Sequence, residues 1–330
     1  MNRTVPILLA LLLAALPAAA QDDADDEPGQ TRPRRKPSMF RRPERDTPAE
    51  QLAFADKLAA AGKLRAAMSE YRALVHQWHA APEAAKAQEA YARLFLKKRK
   101  YRRAFEEFQY LIDQFMGEFA YADVIEQQFK IAHDTMTRRR GRWLGMPGYT
   151  APGQALPLFE KIVANAPGGK RAPECRFYLG VIHEQAGDYD SAAAAFRTAY
   201  SRYPDSPYAV DARFRYAYCR YRIANKAPRA KELCRSAFSE LAGFVRLYPQ
   251  SGHVEAAENC MTDLRERLAR MYYDVALFYD RSPYKPRAAL IAYTDFIRKF
   301  PSSDMAPEAN ARISELEAEV AAEEEIDDDA

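Results

Sequence analysis

The strongest constraint on the fold of this chain is a repeat that is most complete between residues 173 and 206. There, a small residue is followed by a turn with glycine and an aromatic residue, and then by alanine, an aromatic residue, alanine and proline. The residues are Leu179-Gly180, Gly187-Asp188-Tyr189, Ala192, Phe196, Ala199 and Tyr203-Pro204. Small side chains let two helices approach closely, aromatic rings fill the space between them, and proline ends the second helix. The segment therefore predicts a pair of packed helices.

Shorter copies of the pattern follow one another along the chain. The residues that match the pattern are Ala55, Gly62, Ala67, Tyr71 and Leu74; Ala92, Tyr101, Ala104, Phe108 and Leu111; Ala132, Ala155, Phe159, Ile162 and Pro167; Ala217, Ala237, Leu241, Phe244 and Tyr248; and Ala276, Ala289, Tyr293, Phe296 and Phe300. This spacing is typical of tetratricopeptide repeats. We therefore predict an all-α fold, a tetratricopeptide-repeat α-solenoid of five to six helical hairpins over residues 47–318.

The composition, the turn sequences and the helix-start sequences agree with this fold. Val, Ile and Thr, which favour strands, make up only 30 of the 330 residues. An aromatic-Pro-x-Ser segment occurs at residues 203–206, 248–251 and 300–303, which predicts the same turn three times. Hydroxyl residues before proline, at 47–48, 206–207 and 282–283, predict helix starts.

The two ends of the chain differ from its body. Residues 1–20 have the basic start, apolar run and small-residue site of a cleaved signal peptide, which predicts export to the periplasm; an uncleaved anchor is the alternative. Residues 21–46 predict a charged, proline-rich disordered linker, and residues 319–330 an acidic disordered tail. Residues 1–46 carry +1 and residues 315–330 carry −9, so the body carries +11. This charge favours acidic partners or surfaces, unless it merely solvates helix faces.

The sequence offers little material for catalysis. Neither G-x-S-x-G nor H-E-x-x-H occurs, and the pair His76 and His79 has no third histidine nearby. We therefore predict no enzyme activity, no metal and no cofactor. The basic runs at residues 97–103 and 138–142 suit anionic lipid headgroups, lipopolysaccharide or an acidic partner, and no nucleic-acid partner is expected for an exported protein. Solvated helix ends are the alternative.

The first helices of the hairpins define a candidate peptide groove on the inner face of the solenoid. Its predicted residues are Arg93, Lys97, Phe129, His133, Phe177, Val181, Phe214, Tyr218, Tyr221 and Arg222. Aromatic rings supply contact area, and the cations can hold a carboxylate. These side chains suit an extended peptide with aromatic residues and a free C-terminus. The alternative is that half of the aromatic residues are buried between repeats.

The four cysteines, at 175, 219, 234 and 260, permit disulfides in an oxidising compartment. Cys219 lies near the end of one predicted helix and Cys234 early in the next, so an antiparallel hairpin would bring them level. This pair is our candidate disulfide. Buried cysteines that act as small apolar fillers are the alternative.

The late repeats resemble a known family. Arg267-Leu268-Ala269, Val275 to Tyr279, Tyr284, Ala288-Ala289, Tyr293 and Phe300-Pro301-Ser302 are similar to the closing repeat of the BamD (YfiO/ComL) family. Ala237-Phe238 and Tyr248 to Ser251 are similar to its penultimate repeat, and weaker similarity covers residues 47–318. The resemblance implies a periplasmic subunit that helps insert β-barrel proteins into the outer membrane. Its implied partners are a BamA-like barrel component and unfolded barrel substrates, at the periphery of the outer membrane.

Two further expectations follow from the resemblance. The C-terminal repeats of that family hold the barrel component, so we expect partner docking along residues 255–279, through Arg265, Arg267 and Arg270. The family carries a lipidated cysteine at the cleavage site, whereas Gln21 follows Ala20 here. A periplasmic repeat scaffold of a cell-envelope or cell-wall complex, similar to the Tol-Pal coordinator, is therefore the alternative function.

Overall fold

A computed structural model describes residues 42–140, 149–227, 229–281 and 285–328. The predicted signal peptide, most of the predicted linker and the predicted helix start at Ser282-Pro283 lie outside these residues.

The described chain forms six helical hairpins and a final helix, which confirms the predicted helical solenoid. The helices are α1 Pro48–Ala60, α2 Leu64–Gln77, α3 Pro82–Lys97, α4 Tyr101–Gln114, α5 Tyr121–Thr137, α6 Leu156–Asn165, α7 Ala172–Gln185, α8 Tyr189–Arg202, α9 Ala209–Lys226, α10 Lys231–Leu247, α11 Val254–Asp280, α12 Pro286–Lys299 and α13 Ala306–Asp328. Between α5 and α6, strands β1 Arg139–Arg140 and β2 Tyr149–Thr150 pair antiparallel, and a 3₁₀ turn covers Pro152–Ala155.

The ends of the helices follow local chemistry. Thr47 caps α1 by accepting a hydrogen bond from the Glu50 amide at 3.3 Å, with Pro48 at the first helical position, as predicted. The helix start predicted at Ser206-Pro207 is wrong, because α9 begins at Ala209. Ser206 instead donates its amide to the Tyr203 carbonyl at 3.1 Å, and the same turn recurs at Tyr248–Ser251 and Phe300–Ser303.

The small positions of the repeat are buried. Ala55, Ala92, Ala132, Ala217 and Ala276 have no exposed surface. At the corresponding position of α7, a Cβ on Gly180 would lie 2.5 Å from Cε1 of Phe196, so only glycine fits there. Close approach at these sites lets aromatic residues of the second helices fill the interior.

A polar contact joins the two helices in three of the hairpins. In each, a side chain of the first helix donates to both the backbone carbonyl and the carboxylate of a glutamate on the second helix. The pairs are Gln51 with Glu70, Gln88 with Glu107 and Arg213 with Glu240. The contact fixes the two helices against each other, because a buried donor left without a partner is unfavourable.

The final helix differs from expectation. Helix α13 continues to Asp328, through most of the segment that we predicted to be a disordered acidic tail from residue 319. Arg312 pairs there with Glu315 and Glu319 along the helix and with Asp280 at the end of α11. These pairs offset part of the charge repulsion that favoured disorder in the sequence.

Candidate functional site

The first helices of successive hairpins form the inner layer of the solenoid. Helix α1 contacts α3 directly, and α9 contacts α11, so first helices of neighbouring hairpins pack side by side. Side chains on the free side of α3, α5, α7 and α9 therefore line the inner face, where the sequence predicted a peptide groove.

The predicted groove residues of α3, Arg93 and Lys97, are both exposed. Arg93 donates through Nε to Oε1 of Glu89 at 3.0 Å, one turn earlier in the helix. Lys97 lies at the exposed end of α3. The two cations are thus at the surface, and Arg93 already has a carboxylate partner.

The structure corrects the prediction for Phe129 and Phe177. Phe129 is 5% exposed and Phe177 is 8% exposed, so neither ring lines an open groove. Phe129 packs against Phe159 and Tyr178, and Phe177 packs against Phe196 and Tyr208. On these helices, positions that face the groove lie next to positions that face the neighbouring repeat. The rings of Phe129 and Phe177 point towards the neighbouring repeat and are buried in the core.

A charged cluster that sequence reasoning missed covers Phe129. The guanidinium carbon of Arg171 lies 4.4 Å from the ring centre, and Arg171 donates to Glu126 on α5 and Glu174 on α7. The hydrogen bonds from Arg171 hold the pKa of Glu126 below its ordinary value. Burial and a hydrogen bond with Glu174 raise the pKa of Tyr208 to about 12. Arg171 lies in a turn outside the repeat pattern, so no periodic signal could have found it.

The predicted residues of α9 do come together on one surface. Phe214, Tyr218, Tyr221 and Arg222 are half-buried and follow one another along the helix. The rings of Phe214 and Tyr218 are 6.1 Å apart, and those of Tyr218 and Tyr221 are 5.9 Å apart. Arg222 donates through Nη1 to the Tyr218 hydroxyl at 3.1 Å, which raises the pKa of Arg222. We call these four residues the α9 strip.

Two residues that sequence reasoning missed flank the α9 strip. The ring of His253, just before α11, stacks parallel on Phe214 at 4.4 Å, and its Nε2 lies 3.0 Å from Oδ1 of Asp211. At the other end, the guanidinium carbon of Arg222 lies 4.7 Å from the ring centre of Tyr189 on α8. His253 and Tyr189 therefore hold the two ends of the α9 strip in place. Its rings can stack against an aromatic side chain, and Arg222 can contact an anion.

The predicted docking arginines on α11 have different surroundings. Arg265 is exposed, with its guanidinium carbon 5.4 Å from the ring centre of Phe238, and Arg270 is exposed. Arg267 instead donates to the Ala224 carbonyl at 3.2 Å and to the Asn225 side chain, at the end of α9. Arg267 is thus a structural contact, and its charge reversal would disturb the array.

The cysteines do not form the candidate disulfide. All four are free thiols. Cys219 lies in the core between α7, α8 and α9, whereas Cys234 lies in the core between α9, α10 and α11. Burial raises the pKa of Cys175 and Cys219 to about 12, which suppresses the thiolate needed for disulfide exchange. They act as small apolar residues of the core.

The described residues contain no group of three or more histidine, cysteine or acidic side chains that could hold a metal ion. His79 stacks on Phe115, with ring centres 4.6 Å apart. None of the described helices combines the length and apolarity needed to span a membrane.

Comparisons with known proteins match different parts of the chain. The tetratricopeptide-repeat family model matches residues 52–119 and 152–207, and the YfiO model, described as outer membrane lipoprotein, matches residues 222–289. The YfiO match begins at Arg222 and covers α10, α11 and the start of α12. No protein of curated function matches the chain.

Solved structures similar to this chain are also repeat proteins. They include YrrB, described as a TPR protein with an unusual peptide-binding site, at 17% identity, covering 64% of this chain and 92% of that one, with a TM-score of 0.31. The C-terminal part of a TPR repeat-containing protein from Cytophaga hutchinsonii has 14% identity, coverage of 81% and 88%, and a TM-score of 0.33. The P58(IPK) TPR domain has 15% identity, coverage of 82% and 78%, and a TM-score of 0.34.

Proposed function

Because the chain is a tetratricopeptide-repeat protein of the BamD (YfiO) family, we propose that it is a periplasmic adaptor that helps assemble β-barrel proteins and insert them into the outer membrane. It acts by binding a BamA-like barrel component and unfolded barrel substrates, without catalysis of its own. It is peripheral to the outer membrane.

The α9 strip is the observation that carries the proposal for substrate binding. Phe214 and Tyr218 offer half-exposed rings one helical turn apart, and Arg222 lies one turn further. A guanidinium has five N–H donors, and the Tyr218 hydroxyl takes one of them. Arg222 can therefore hold a terminal carboxylate while the two rings stack against a terminal aromatic side chain. An unfolded barrel strand that ends in these groups is the matching ligand.

Titration of a peptide copied from a C-terminal barrel strand tests this assignment. The free-acid peptide should bind more tightly than its amidated form, and the difference should shrink at high salt because the charge pair is partly exposed. Tyr218→Ala should weaken binding by about 2 kcal/mol, since central aromatic anchors carry most of the affinity. Tyr279→Ala, at a half-buried tyrosine on α11, is the matched control and should leave affinity unchanged. Equal affinity for the two peptides contradicts carboxylate capture.

Helix α11 is the proposed dock for the barrel component. Arg265 and Arg270 are exposed there, and Phe278 is 66% exposed near the end of the same helix. Double charge reversal at Arg265 and Arg270 should abolish crosslinking to a BamA-like barrel protein in envelopes while preserving helical circular dichroism. Recovery of peptidoglycan synthases instead of a barrel protein would favour the cell-wall scaffold function.

A further inference from the structure

Two basic segments that are distant in the sequence meet at one edge of the second and third hairpins. One is the turn between α3 and α4, and the other is the end of α5. The guanidinium carbon of Arg138 lies 4.9 Å from the ring centre of Tyr101, so the two segments are in contact. We call the resulting surface the basic edge, and its cations are Lys97, Lys98, Arg99, Lys100, Arg102, Arg103 and Arg138.

Most of the positive charge on the basic edge is not neutralised by the protein. Glu106 pairs with Arg102 at 3.2 Å and with Arg103 at 3.9 Å. The four cations from Lys97 to Lys100 are exposed, and no carboxylate among the described residues lies within ion-pair distance of them. Helix α4 has neither a side-chain cap nor an acidic residue in its first turn. The positive end of the α4 dipole therefore adds to the field of these cations.

The backbone at Arg99 indicates that the charge is not incidental. Arg99 has φ of 56°, the left-handed region, whereas Gly62 and Gly187 occupy the equivalent turns of the first and fourth hairpins with φ of 72° and 76°. The hydrogen bonds correspond as well: the amides of Arg99 and Gly62 each donate to the carbonyl three residues earlier, at 2.8 and 3.2 Å. Glycine satisfies this turn without strain, so arginine retains a cation at a position that disfavours it.

Within the residues that the structure describes, the basic edge has none of the exposed apolar anchors of a protein interface. The large apolar side chains that are exposed in the described chain are Met116, Leu247, Val275, Phe278 and Ile291, and none of them belongs to the edge. Interfaces between proteins are depleted in lysine at their centres and depend on apolar or aromatic anchors. A layer of phosphate groups requires only a dense array of cations. Because the family match is to an outer membrane lipoprotein, a membrane surface is the source of phosphate that fits.

We propose that the basic edge binds the phosphate groups of anionic lipids and so holds the protein against a membrane surface. This surface is separate from the α9 strip, and its binding does not depend on β-barrel assembly.

Co-sedimentation of the full chain with vesicles tests the proposal. The readout is a ratio of two partition coefficients, one for mixed phosphatidylglycerol–phosphatidylcholine vesicles and one for pure phosphatidylcholine vesicles. Every variant contains the apolar run at residues 7–16. Its contribution to binding enters both coefficients and therefore cancels in the ratio. The ratio should exceed one and should fall with added salt. Lys98→Gln, Arg99→Gly and Lys100→Gln together should lower it about a hundred-fold, since each cation near an anionic surface contributes about five-fold.

A matched triple variant distinguishes the basic edge from net charge alone. Lys170→Gln, Arg202→Gln and Arg246→Gln remove the same charge from exposed positions at the opposite ends of the helices. In this control, the ratio of partition coefficients should stay within about five-fold of its value in the original chain. An equal loss in both triple variants overturns the proposal, as does the absence of any anionic preference in the original chain. Tighter binding to duplex DNA than to anionic vesicles, lost in the first triple variant, overturns it in favour of nucleic acid.

The single variant Arg99→Gly separates binding from folding. Glycine relieves the left-handed backbone, so the Tm should rise while the anionic preference falls about five-fold. A rise in Tm with unchanged vesicle binding would overturn the role of Arg99 in lipid binding.

Discussion

The second and fifth hairpins make the same contact between their helices with different chemistry. In the second, the neutral Gln88 donates to the carbonyl and carboxylate of Glu107 at 3.0 and 2.9 Å. In the fifth, the cationic Arg213 donates to the same two groups of Glu240 at 3.4 and 2.8 Å. The packing of the hairpin thus requires a donor at this place but not a particular charge.

The surroundings explain why the fifth hairpin accommodates an arginine. Arg213 is 9% exposed and contacts the rings of Tyr200 and Tyr216, whose centres are 5.3 and 5.5 Å from its guanidinium carbon. Opposite it, Gly243 leaves room, since a Cβ there would lie 3.4 Å from Nη2. The charge is buried in the fifth hairpin, whereas in the second hairpin the cations are exposed at the turn. Removing each of the two donors should therefore lower the free energy of unfolding by different amounts.

Removal of Arg213 should have the largest effect. Arg213→Ala leaves the partly buried Glu240 without its cation and removes the contact with two tyrosines, so it should lower the free energy of unfolding by about 3 kcal/mol. Urea unfolding followed by circular dichroism measures this. Arg246→Ala, at an exposed arginine on α10, is the control and should change stability by less than about 0.5 kcal/mol. Similar losses for the two variants would mean that the Arg213 contact is not a stabilising one.

Removal of the neutral donor should have a smaller effect. Gln88→Ala should lower the free energy of unfolding by about 1–2 kcal/mol. The variant removes the uncharged amide that donates to the carbonyl and the carboxylate of Glu107. Gln51→Ala in the first hairpin, where the acceptor is Glu70, provides an independent repetition of the same experiment. A loss as large as that for Arg213→Ala would show that charge does not distinguish the two hairpins.

The turns of the hairpins provide a reciprocal test. Gly187→Arg places a side chain at φ of 76° and should lower the free energy of unfolding by about 1 kcal/mol, while Arg99→Gly should raise it by a similar amount. Gly168→Arg is the control, since that glycine lies in open space without a positive φ. If both Gly→Arg variants lose the same stability, side-chain size rather than backbone conformation is responsible.

The smallest effect should be a pH dependence at the junction between the two regions. Arg171 lowers the pKa of Glu126, so the pair contributes stability above the ordinary glutamate pKa and loses it as the pH falls through the lowered value. Both side chains are about a third exposed, so less than about 1 kcal/mol should be lost below pH about 4. Thermal unfolding of the original chain and of Glu126→Gln across this range should show the steeper pH dependence in the original chain.

The repeat pattern made the hairpins and their buried small residues predictable. It also placed Phe214, Tyr218 and Arg222 together, because residues four apart lie on one helical face. It could not separate these from Phe129 and Phe177, since whether such a ring faces the groove or the next repeat depends on the angle between repeats. That angle is set by contacts across the chain.

Other features left no trace in the pattern. Gln51 and Gln88 are polar residues at the same place in two successive repeats, but each has a partner 19 residues later that no local motif indicates. The contact of Arg138 with Tyr101 joins two basic runs that are separated in the sequence by α4 and α5. The helical state of the acidic end also depends on a distant residue, since Arg312 pairs with Asp280.

Helix α11 has a consequence for how the array comes apart. Its first half packs into one core through Leu264 and Leu268, and its second half packs into another through Tyr273 and Ala276. Local unfolding of the last two helices would therefore expose only one half of α11 while the other half stays protected. Amide exchange should divide this single helix near Leu268 into a slow N-terminal part and a fast C-terminal part. The boundary between two cooperative units would then lie inside a helix rather than in a loop.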